Sequence, residues 1–376
     1  MSSVARWRGV ASAIASFVRR EPLLAILIAV FIVLEGCLRW SVTEILSSVE
    51  WRALLLIVAL MIVSRAFEFS GQLTQLSIEI IKLFRGRTLL VLLFTMLACA
   101  ASSTILMNDT SLFVFVPLLV ALIKIARLDP APYIALIASY ANAGSALTPI
   151  GNPQNIVIWQ HYSLSFSYMV WFMAKYVATF LLILTLFLVA WTRRRGVHYQ
   201  RMPVPPSVAV DKRLSMAAIV ALIIVVILAQ LHLAIYAPLV SIAAVAASKR
   251  IDVVKRIDYV LVLTFLLFFI NFAMLGSVLR AVLGGGIHSS LGVYLVSIVL
   301  SIAISNVPAT IVLVKAVNDW RALLLGVNVA GFATAISSLA NLIAIRLSGV
   351  SQREFHRYSL PVFMACLAAS TILFVL

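Results

Sequence analysis

The chain has 376 residues, of which 63% are hydrophobic and 11% are charged, and its mean hydropathy is +1.11. Soluble domains have a much smaller apolar fraction, so this composition excludes a soluble protein and predicts an all-α polytopic membrane protein. The formal charge is +16. Because the basic residues lie at the ends of apolar segments, this charge indicates topology rather than a nucleic-acid partner. We expect a multi-pass protein surrounded by lipid in the cell membrane.

Apolar segments follow one another along the chain, and several are shorter than the roughly 20 residues that span a bilayer as a helix. They cover 22–40, 51–66, 88–107, 112–124, 131–161, 168–191, 214–231, 234–248, 258–280, 290–304, 309–317, 321–347 and 357–376. Lys and Arg are concentrated before the first segment, in the 192–213 loop and at 249–256. The positive-inside rule places these three regions, and therefore the amino terminus, in the cytoplasm.

One pair of segments does not fit simple crossings. Basic residues flank the pair 88–107 and 112–124 on both sides, so both flanks are predicted to be cytoplasmic. We therefore interpret the pair as a re-entrant hairpin with 108–111 at its tip, since a turn at membrane depth is tolerated when it is buried in protein. The segments 290–304 and 309–317 predict a matching hairpin that enters from outside.

These segments divide into two predicted repeats. Residues 1–20 form a cytoplasmic amino terminus, and 21–191 form the first transmembrane repeat. A basic cytoplasmic loop and one linker helix occupy 192–233, and this odd helix inverts the second repeat, 234–376. The predicted fold therefore has two inverted repeats, each with a re-entrant hairpin and a broken transmembrane helix. We expect about nine crossings and an external carboxyl terminus.

A polar motif occurs twice inside apolar surroundings. The stretch 142–155 (NAGSALTPIGNPQN) returns as 328–341 (NVAGFATAISSLAN). Pro149, Gly151 and Pro153 predict a broken helix in the first copy, because proline removes backbone donors and glycine lets the chain unwind. The second copy has Ala335 and Ser337 in place of Pro149 and Gly151. We therefore expect a shallower or more helical second break, with the ion site displaced towards the first half.

The candidate site residues are mostly neutral. Asp109 is the acidic residue with long apolar stretches on both sides, and a buried ionisable group in a membrane usually marks an ion or proton pathway. An alternative role for Asp109 is to cap the second hairpin arm. Breaks and hairpin tips at one depth also expose backbone N–H groups and carbonyls. The neutral candidates, each of which has helix packing as its alternative role, are Asn108, Thr110, Ser111, Thr148, Gly151, Asn152 and Asn155 in the first half and Ser305, Asn306, Thr310, Ser337, Ser338 and Asn341 in the second.

Three motifs identify a resemblance. NDTS at 108–111, TPIGNPQN at 148–155 and SNVP at 305–308 resemble the ion transporter superfamily, which includes arsenite permeases, NhaD-type sodium/proton antiporters, citrate–metal permeases and sodium-coupled dicarboxylate symporters. Similarity is greatest to the arsenite permease-like branch. The resemblance implies an inverted-repeat fold with substrate at the hairpin tips, a homodimer, and no cofactor beyond a coupling ion, H⁺ or Na⁺.

The same resemblance divides the candidates into half-sites. It implies a first half-site from 108–111 and 148–155 and a second from Ser305, Asn306, Ser338 and Asn341. If sodium is the coupling ion, we expect it near Asn108, Asp109 and Asn152. Val307 stands where a symmetric pair would require an acid or Thr, so the chain departs from the pattern there.

The sequence favours a secondary active transporter of a small anion or arsenite, ion-coupled through Asp109, and leaves a sodium/proton antiporter as the alternative. An ion channel is disfavoured because repeats with broken helices indicate alternating access. An intramembrane hydrolase is also disfavoured, so we expect no enzyme. No second membrane acid is predicted to pair with Asp109, and the histidines are placed in loops or, for His232, at a span end, the loop residues being His161, His198, His288 and His356.

Overall fold

The structure is a computed structural model that describes residues 21–84, 87–194, 206–283 and 289–376. The predicted cytoplasmic segment 1–20, part of the basic central loop, His198 and His288 lie outside the described residues. The described part is all-helical, as the composition predicts. Six helices within it are long and apolar enough to cross a membrane, and they are Trp51–Ser70, Thr88–Ile105, Phe166–Arg193, Lys212–Gln230, Tyr259–Gly276 and Gln352–Val375.

The chain divides into two compact units, and the described residues of the smaller are 21–50 and 258–283. Its helices are α1 (Pro22–Leu38), α2 (Val42–Ser48) and α13 (Tyr259–Leu283). Leu24, Leu27 and Leu267 form a small buried core between α1 and α13. The side-chain amide of Asn271 donates to the Leu27 carbonyl at 2.8 Å, which is the kind of polar contact that joins helices in a membrane.

The described residues of the larger unit are 51–84, 87–194, 206–257 and 289–376, and they include every candidate residue. Its helices before the centre of the chain are α3 (Trp51–Ser70), α4 (Gln72–Leu83), α5 (Thr88–Ile105), α6 (Asn108–Ile125), α7 (Pro130–Ser145), α8 (Pro153–His161) and α9 (Phe166–Arg194). Those that follow are α10 (Lys212–Gln230), α11 (Ala237–Ala247), α12 (Asp252–Lys255), α14 (Ser290–Ile304), α15 (Asn306–Val314), α16 (Trp320–Ala330), α17 (Leu339–Ser348) and α18 (Gln352–Val375).

A hairpin followed by a broken helix occurs twice in this unit, which confirms the predicted fold. The first set is α5–α6 and then α7–α8, and the second is α14–α15 and then α16–α17. Packing follows the same pattern in both sets. Within each half, the first hairpin helix contacts the first part of the broken helix, α5 with α7 and α14 with α16. Between the halves, the second hairpin helix contacts the second part of the other broken helix, α6 with α17 and α15 with α8. Each broken helix therefore lies between the hairpin of its own half and the hairpin of the other.

Local capping explains where the broken helices begin. The Asp129 side chain accepts from the Ala131 N–H at 3.1 Å at the start of α7, where Pro130 needs no donor partner. Asp319 accepts from the N–H groups of Arg321 and Ala322 at the start of α16. Asp at a helix amino terminus satisfies backbone donors and complements the helix dipole. The same device therefore starts both broken helices.

An ion pair at one end of α10 supports a small-effect prediction. The Asp211 carboxylate accepts from the Leu214 N–H at 3.1 Å and pairs with the Arg250 guanidinium at 3.2 Å. These two interactions, the Leu214 bond first, lower the pKa of Asp211. The pair is partly exposed, so Asp211→Asn should lower the free energy of unfolding by less than about 1 kcal/mol.

The pH dependence of that effect has a definite sign. Because folding lowers the pKa of Asp211 below the ordinary value of about 3.9, the carboxylate stabilises the protein above about pH 4 and loses this contribution as the pH falls through the folded pKa. Unfolding of the wild type and of Asp211→Asn in detergent should therefore differ at neutral pH and converge in acid. A difference that grows in acid would contradict the assignment.

Candidate functional site

The first hairpin tip lies at Leu106 and Met107, which separate α5 from α6. This corrects the expectation that 108–111 form the tip, since Asn108 begins α6 and the three residues after it form its first turn. The physical reason is that Asn and Asp satisfy the free N–H groups at a helix start. Across the tip, the Ser102 hydroxyl donates to the Ser111 hydroxyl at 2.9 Å.

Asp109 lies in the first turn of α6 and is partly buried. Its carboxylate accepts from the Thr110 N–H at 2.8 Å, and its own N–H donates to the Asn108 side-chain oxygen at 3.0 Å. Asp109 is the second residue of α6, and the N-cap is Met107, which makes no side-chain cap bond, so Asp109 satisfies one N–H of the first turn without being the cap.

The first break extends from Ala146 to Asn152, between α7 and α8. Asn152 caps α8 by accepting from the Asn155 N–H at 2.9 Å. Asn155 holds the unwound carbonyls, because its amide donates to the oxygens of Ser145 at 3.3 Å and Thr148 at 3.0 Å. A Cβ on Gly151 would lie 2.2 Å from the Ser145 oxygen. The turn therefore requires glycine there.

The second break extends from Gly331 to Ser338 and is as fully unwound as the first, which corrects the expected shallower break. Thr334 and Ser337 bond to each other and so stabilise the turn that proline and glycine form in the first break. The Thr334 N–H donates to the Ser337 hydroxyl at 3.0 Å, and the Ser337 N–H donates to the Thr334 hydroxyl at 3.1 Å. Asn341 donates to the oxygens of Gly331 and Thr334 at 2.8 and 2.7 Å, as Asn155 does in the first half.

Each hairpin contacts the break of its own half through one backbone bond. The Asn108 N–H donates to the Gly151 oxygen at 3.0 Å, and the Asn306 N–H donates to the Ser337 oxygen at 3.0 Å. Ser305 before the second contact has a φ of 78°, in the left-handed region that non-glycine residues seldom adopt. The same tip-to-break contact thus occurs at matching positions in both halves.

Four side-chain bonds then join the two breaks to each other. Asn142 donates to the Asn341 side-chain oxygen at 3.0 Å, and Asn328 donates to that of Asn155 at 2.8 Å. In return, the Asn142 oxygen accepts from the Ser338 hydroxyl at 3.0 Å, and the Asn328 oxygen accepts from Asn152 at 3.1 Å. These six residues are buried and are here called the cross-repeat network.

Sequence reasoning did not select Asn142 and Asn328 as site residues. Both lie in the last turns of otherwise apolar helices, α7 and α16, where a single amide suggests helix packing. The available signal was their position, since they open the two copies of the repeated motif. Asn108 also joins the network by donating to the Asn142 oxygen at 3.3 Å.

Other candidates have more local contacts. The Thr310 hydroxyl donates to the Asn306 carbonyl within α15, and the Thr148 hydroxyl donates to the Thr104 carbonyl of the first hairpin. Two histidines expected in loops are helical, because His161 ends α8 and His356 lies in α18. No cluster of three or more His, Cys, Asp or Glu side chains suited to a metal is found in the described ranges. Asn108, Asp109 and Asn152 offer amide and carboxylate oxygens instead, which suit a hard cation such as Na⁺.

Two hairpins and two broken helices, with buried amides and hydroxyls between them, define a membrane transporter. Residues 11–320 match the family model described as CitMHS, citrate transporter, and the chain belongs to that family. This family agrees with the superfamily that the three motifs indicate. The chain is thus a multi-pass membrane protein of the transporter type.

Individual proteins agree with this assignment. The chain is 33% identical over 335 residues to inner membrane protein YbiR of Escherichia coli K12, covering 88% of this chain and 89% of that one. It is 27% identical over 314 residues to the transporter MJ0456 of Methanocaldococcus jannaschii, covering 82% and 84%. A solved structure, the YdaH transporter of Alcanivorax borkumensis, superposes with a TM-score of 0.51 at 15% identity, covering 86% and 83%. This last similarity concerns the fold alone.

Proposed function

We propose that the protein is a secondary active transporter that moves a small anion or arsenite by alternating access, coupled to H⁺ or Na⁺ at Asp109. The observation that carries the proposal is the cross-repeat network, in which the pre-break Asn of each half bonds to the post-break residues of the other. Movement of either half must change both sets of bonds. Such a coupled pair of broken helices at a repeat interface suits alternating access.

Helix polarity supports an anionic or hydroxyl-rich substrate. Four helices begin at the hairpin tips and breaks, namely α6 at Asn108, α8 at Pro153, α15 at Asn306 and α17 at Leu339. Helix amino termini carry partial positive charge, which favours anions. The amide and hydroxyl donors of the network, which bond to one another in this structure, are of the type that also binds carboxylate oxygens or the hydroxyls of arsenite. The family description, citrate transporter, points to the same substrate class.

A sodium/proton antiporter is the second candidate function. The observation that favours it is that Asp109 is the sole charged side chain among the candidates, and a carboxylate among neutral oxygens binds either Na⁺ or H⁺. In the transporter proposal the same carboxylate binds the coupling ion while the helix termini bind the substrate. The two functions therefore share Asp109 and differ in whether a small anion or arsenite is transported.

Counterflow in proteoliposomes tests the proposal. Purified protein is reconstituted in vesicles loaded with unlabelled citrate, a dicarboxylate or arsenite, and entry of the labelled compound is measured against protein-free vesicles. We expect counterflow of at least one compound. Absence of counterflow with sodium-driven changes of internal pH would replace the proposal with the antiporter, and absence of both would reject both functions.

Orientation and assembly remain predictions. We propose that the protein lies in the cytoplasmic membrane with its amino terminus inside, because basic residues precede the first span and fill the central loop. A homodimer is proposed from the superfamily resemblance. Accessibility of cysteines placed at each terminus of the chain to an impermeant thiol reagent tests the orientation.

A further inference from the structure

Helix α18 contacts the second break through two side chains one turn apart. The Ala335 N–H donates to Nε2 of His356 at 2.9 Å. The Ser359 hydroxyl donates to the Ala333 carbonyl at 2.7 Å. Ser359 is buried and His356 is partly buried. The unwound backbone of the second break is therefore held on one side by a group that can change its charge.

The two halves differ at this position. Ala335 corresponds in the repeated motif to Pro149, which has no N–H and needs no acceptor. The residues of α9 that correspond to His356 and Ser359 are Val170 and Met173, and neither offers a comparable polar group. The histidine contact is thus a feature of the second half, where alanine leaves a backbone donor that proline removes in the first.

This bond depends on the protonation state of the imidazole. To accept from Ala335, Nε2 must carry its lone pair, so the neutral ring has its proton on Nδ1. A protonated imidazole has donors on both nitrogens and no acceptor. Histidine changes charge within the physiological range in ordinary surroundings. Proton binding to His356 therefore removes the partner of the Ala335 N–H.

The consequence reaches the site through a short path of bonds. Two residues after Ala335, the Ser337 carbonyl accepts from the Asn306 N–H of the second hairpin at 3.0 Å. The next residue, Ser338, donates to the Asn142 side chain at 3.0 Å. A displacement of the backbone at Ala335 thus acts on a hairpin tip and on the cross-repeat network.

Charged groups of several helices surround this turn of α18. Arg353, Glu354 and Arg357 lie on α18 itself. Asp129 at the start of α7 is close enough to Glu354 to affect it electrostatically. From α9, Arg193 follows Trp191, whose ring contacts that of Tyr358. In α16 the charged residue is Arg321, which stacks on Tyr168 and Trp320 in the first turn of that helix, at the opposite end from the break.

We propose that His356 is a proton-binding and positioning residue that controls the second break: neutral, it fixes the segment 331–338 through Ala335, and protonated, it releases that segment. Its effect on transport rests on the function proposed above, whereas its effect on the break does not. The protein would then bind protons in both halves, at Asp109 and at His356.

Hydrogen–deuterium exchange of the second break tests the proposal without a transport assay. Exchange of peptides covering 331–338 is compared at about pH 8 and about pH 5, with correction for the intrinsic rate and with the first break, 146–152, as internal reference. In the wild type, acid should raise exchange of the second break relative to the first by about three- to tenfold, which corresponds to the loss of one hydrogen bond.

Two variants should lose this pH dependence for different reasons. In His356→Gln the amide oxygen accepts from Ala335 at either pH, and in Ala335→Pro the donor is removed as in the first half. An unchanged pH dependence in both folded variants, or no dependence in the wild type, would overturn the proposal. Measuring counterflow with the same variants separates the effect of His356 on the break from its effect on transport. If hydrogen–deuterium exchange is as expected but no counterflow occurs, only the proposed transport function is refuted. If His356→Gln keeps the wild-type pH profile of counterflow, the effect of His356 on transport is refuted.

Discussion

Replacing Asn142 with leucine should abolish transport and markedly destabilise the protein. Asn142 donates to the Gly331 carbonyl and the Asn341 side chain, and its oxygen accepts from Ser338 and Asn108. Leucine has a similar volume but no polar group, so these buried partners lose a bond together. Each buried group left unsatisfied costs about 1–3 kcal/mol. Thermal unfolding in detergent and counterflow in vesicles measure the two effects.

Ser139→Ala provides the matched control for this change. Ser139 is buried on the same helix, one turn before Asn142, but its hydroxyl donates to the Ala135 carbonyl within α7. Its loss should leave both stability and transport near the wild type. Asn328→Leu, at the corresponding position of the second half, should behave like Asn142→Leu. Wild-type transport by both Asn142→Leu and Asn328→Leu would show that the bonds between the breaks are not required.

The second large effect is expected for Gly144→Ala. Helix α7 approaches α5 so closely that a Cβ on Gly144 would lie 2.1 Å from the Ala100 carbonyl oxygen. Small residues allow such contacts between membrane helices. The added methyl must push α7 away from the first hairpin, and overpacking of this kind costs roughly 1–3 kcal/mol or more. We expect a lower unfolding temperature in detergent and reduced counterflow.

Gly36→Ala should have the opposite effect on the stability of the protein. Gly36 lies within α1, is exposed, and has no atom within 4 Å of an added Cβ. Alanine is favoured over glycine in a helix by roughly 0.5–1 kcal/mol, so this variant should be as stable as the wild type or slightly more so. If Gly144→Ala were equally stable, the close contact between α5 and α7 would be refuted.

The fold was largely predictable because its unusual elements leave local signals. Pro149 and Pro153 remove backbone donors, Gly151 lets the chain unwind, and 108–111 interrupt an apolar stretch. The position of the hairpin tip was less predictable, since Asn and Asp suit a turn and a helix start equally well. The helical position of His356 had a local signal, because Ser351 and Glu354 form the capping box that starts α18.

The partners within the site could not be predicted, because they are set by packing between distant segments. Nothing local to Asn142 indicates that its side chain meets Asn341 or Ser338. The full unwinding of the second break is not predictable either, because Ala335 and Ser337 stand where the first break has Pro149 and Gly151. Thr334, Ser337 and Asn341 satisfy the unwound backbone instead. Side-chain bonds thus supply what backbone restriction supplies in the first half.

Coupling of ion movement to transport through Asp109 is tested by gradient-driven accumulation in proteoliposomes. Accumulation of the compound that exchanges in counterflow is measured under imposed sodium and proton gradients, with internal pH recorded in the same vesicles. The proteins compared are the wild type, Asp109→Asn and, as control, Glu79→Gln, which alters an exposed acid on α4. We predict that Asp109→Asn retains exchange but loses accumulation, while Glu79→Gln keeps both. Accumulation by Asp109→Asn at the wild-type level would contradict the account.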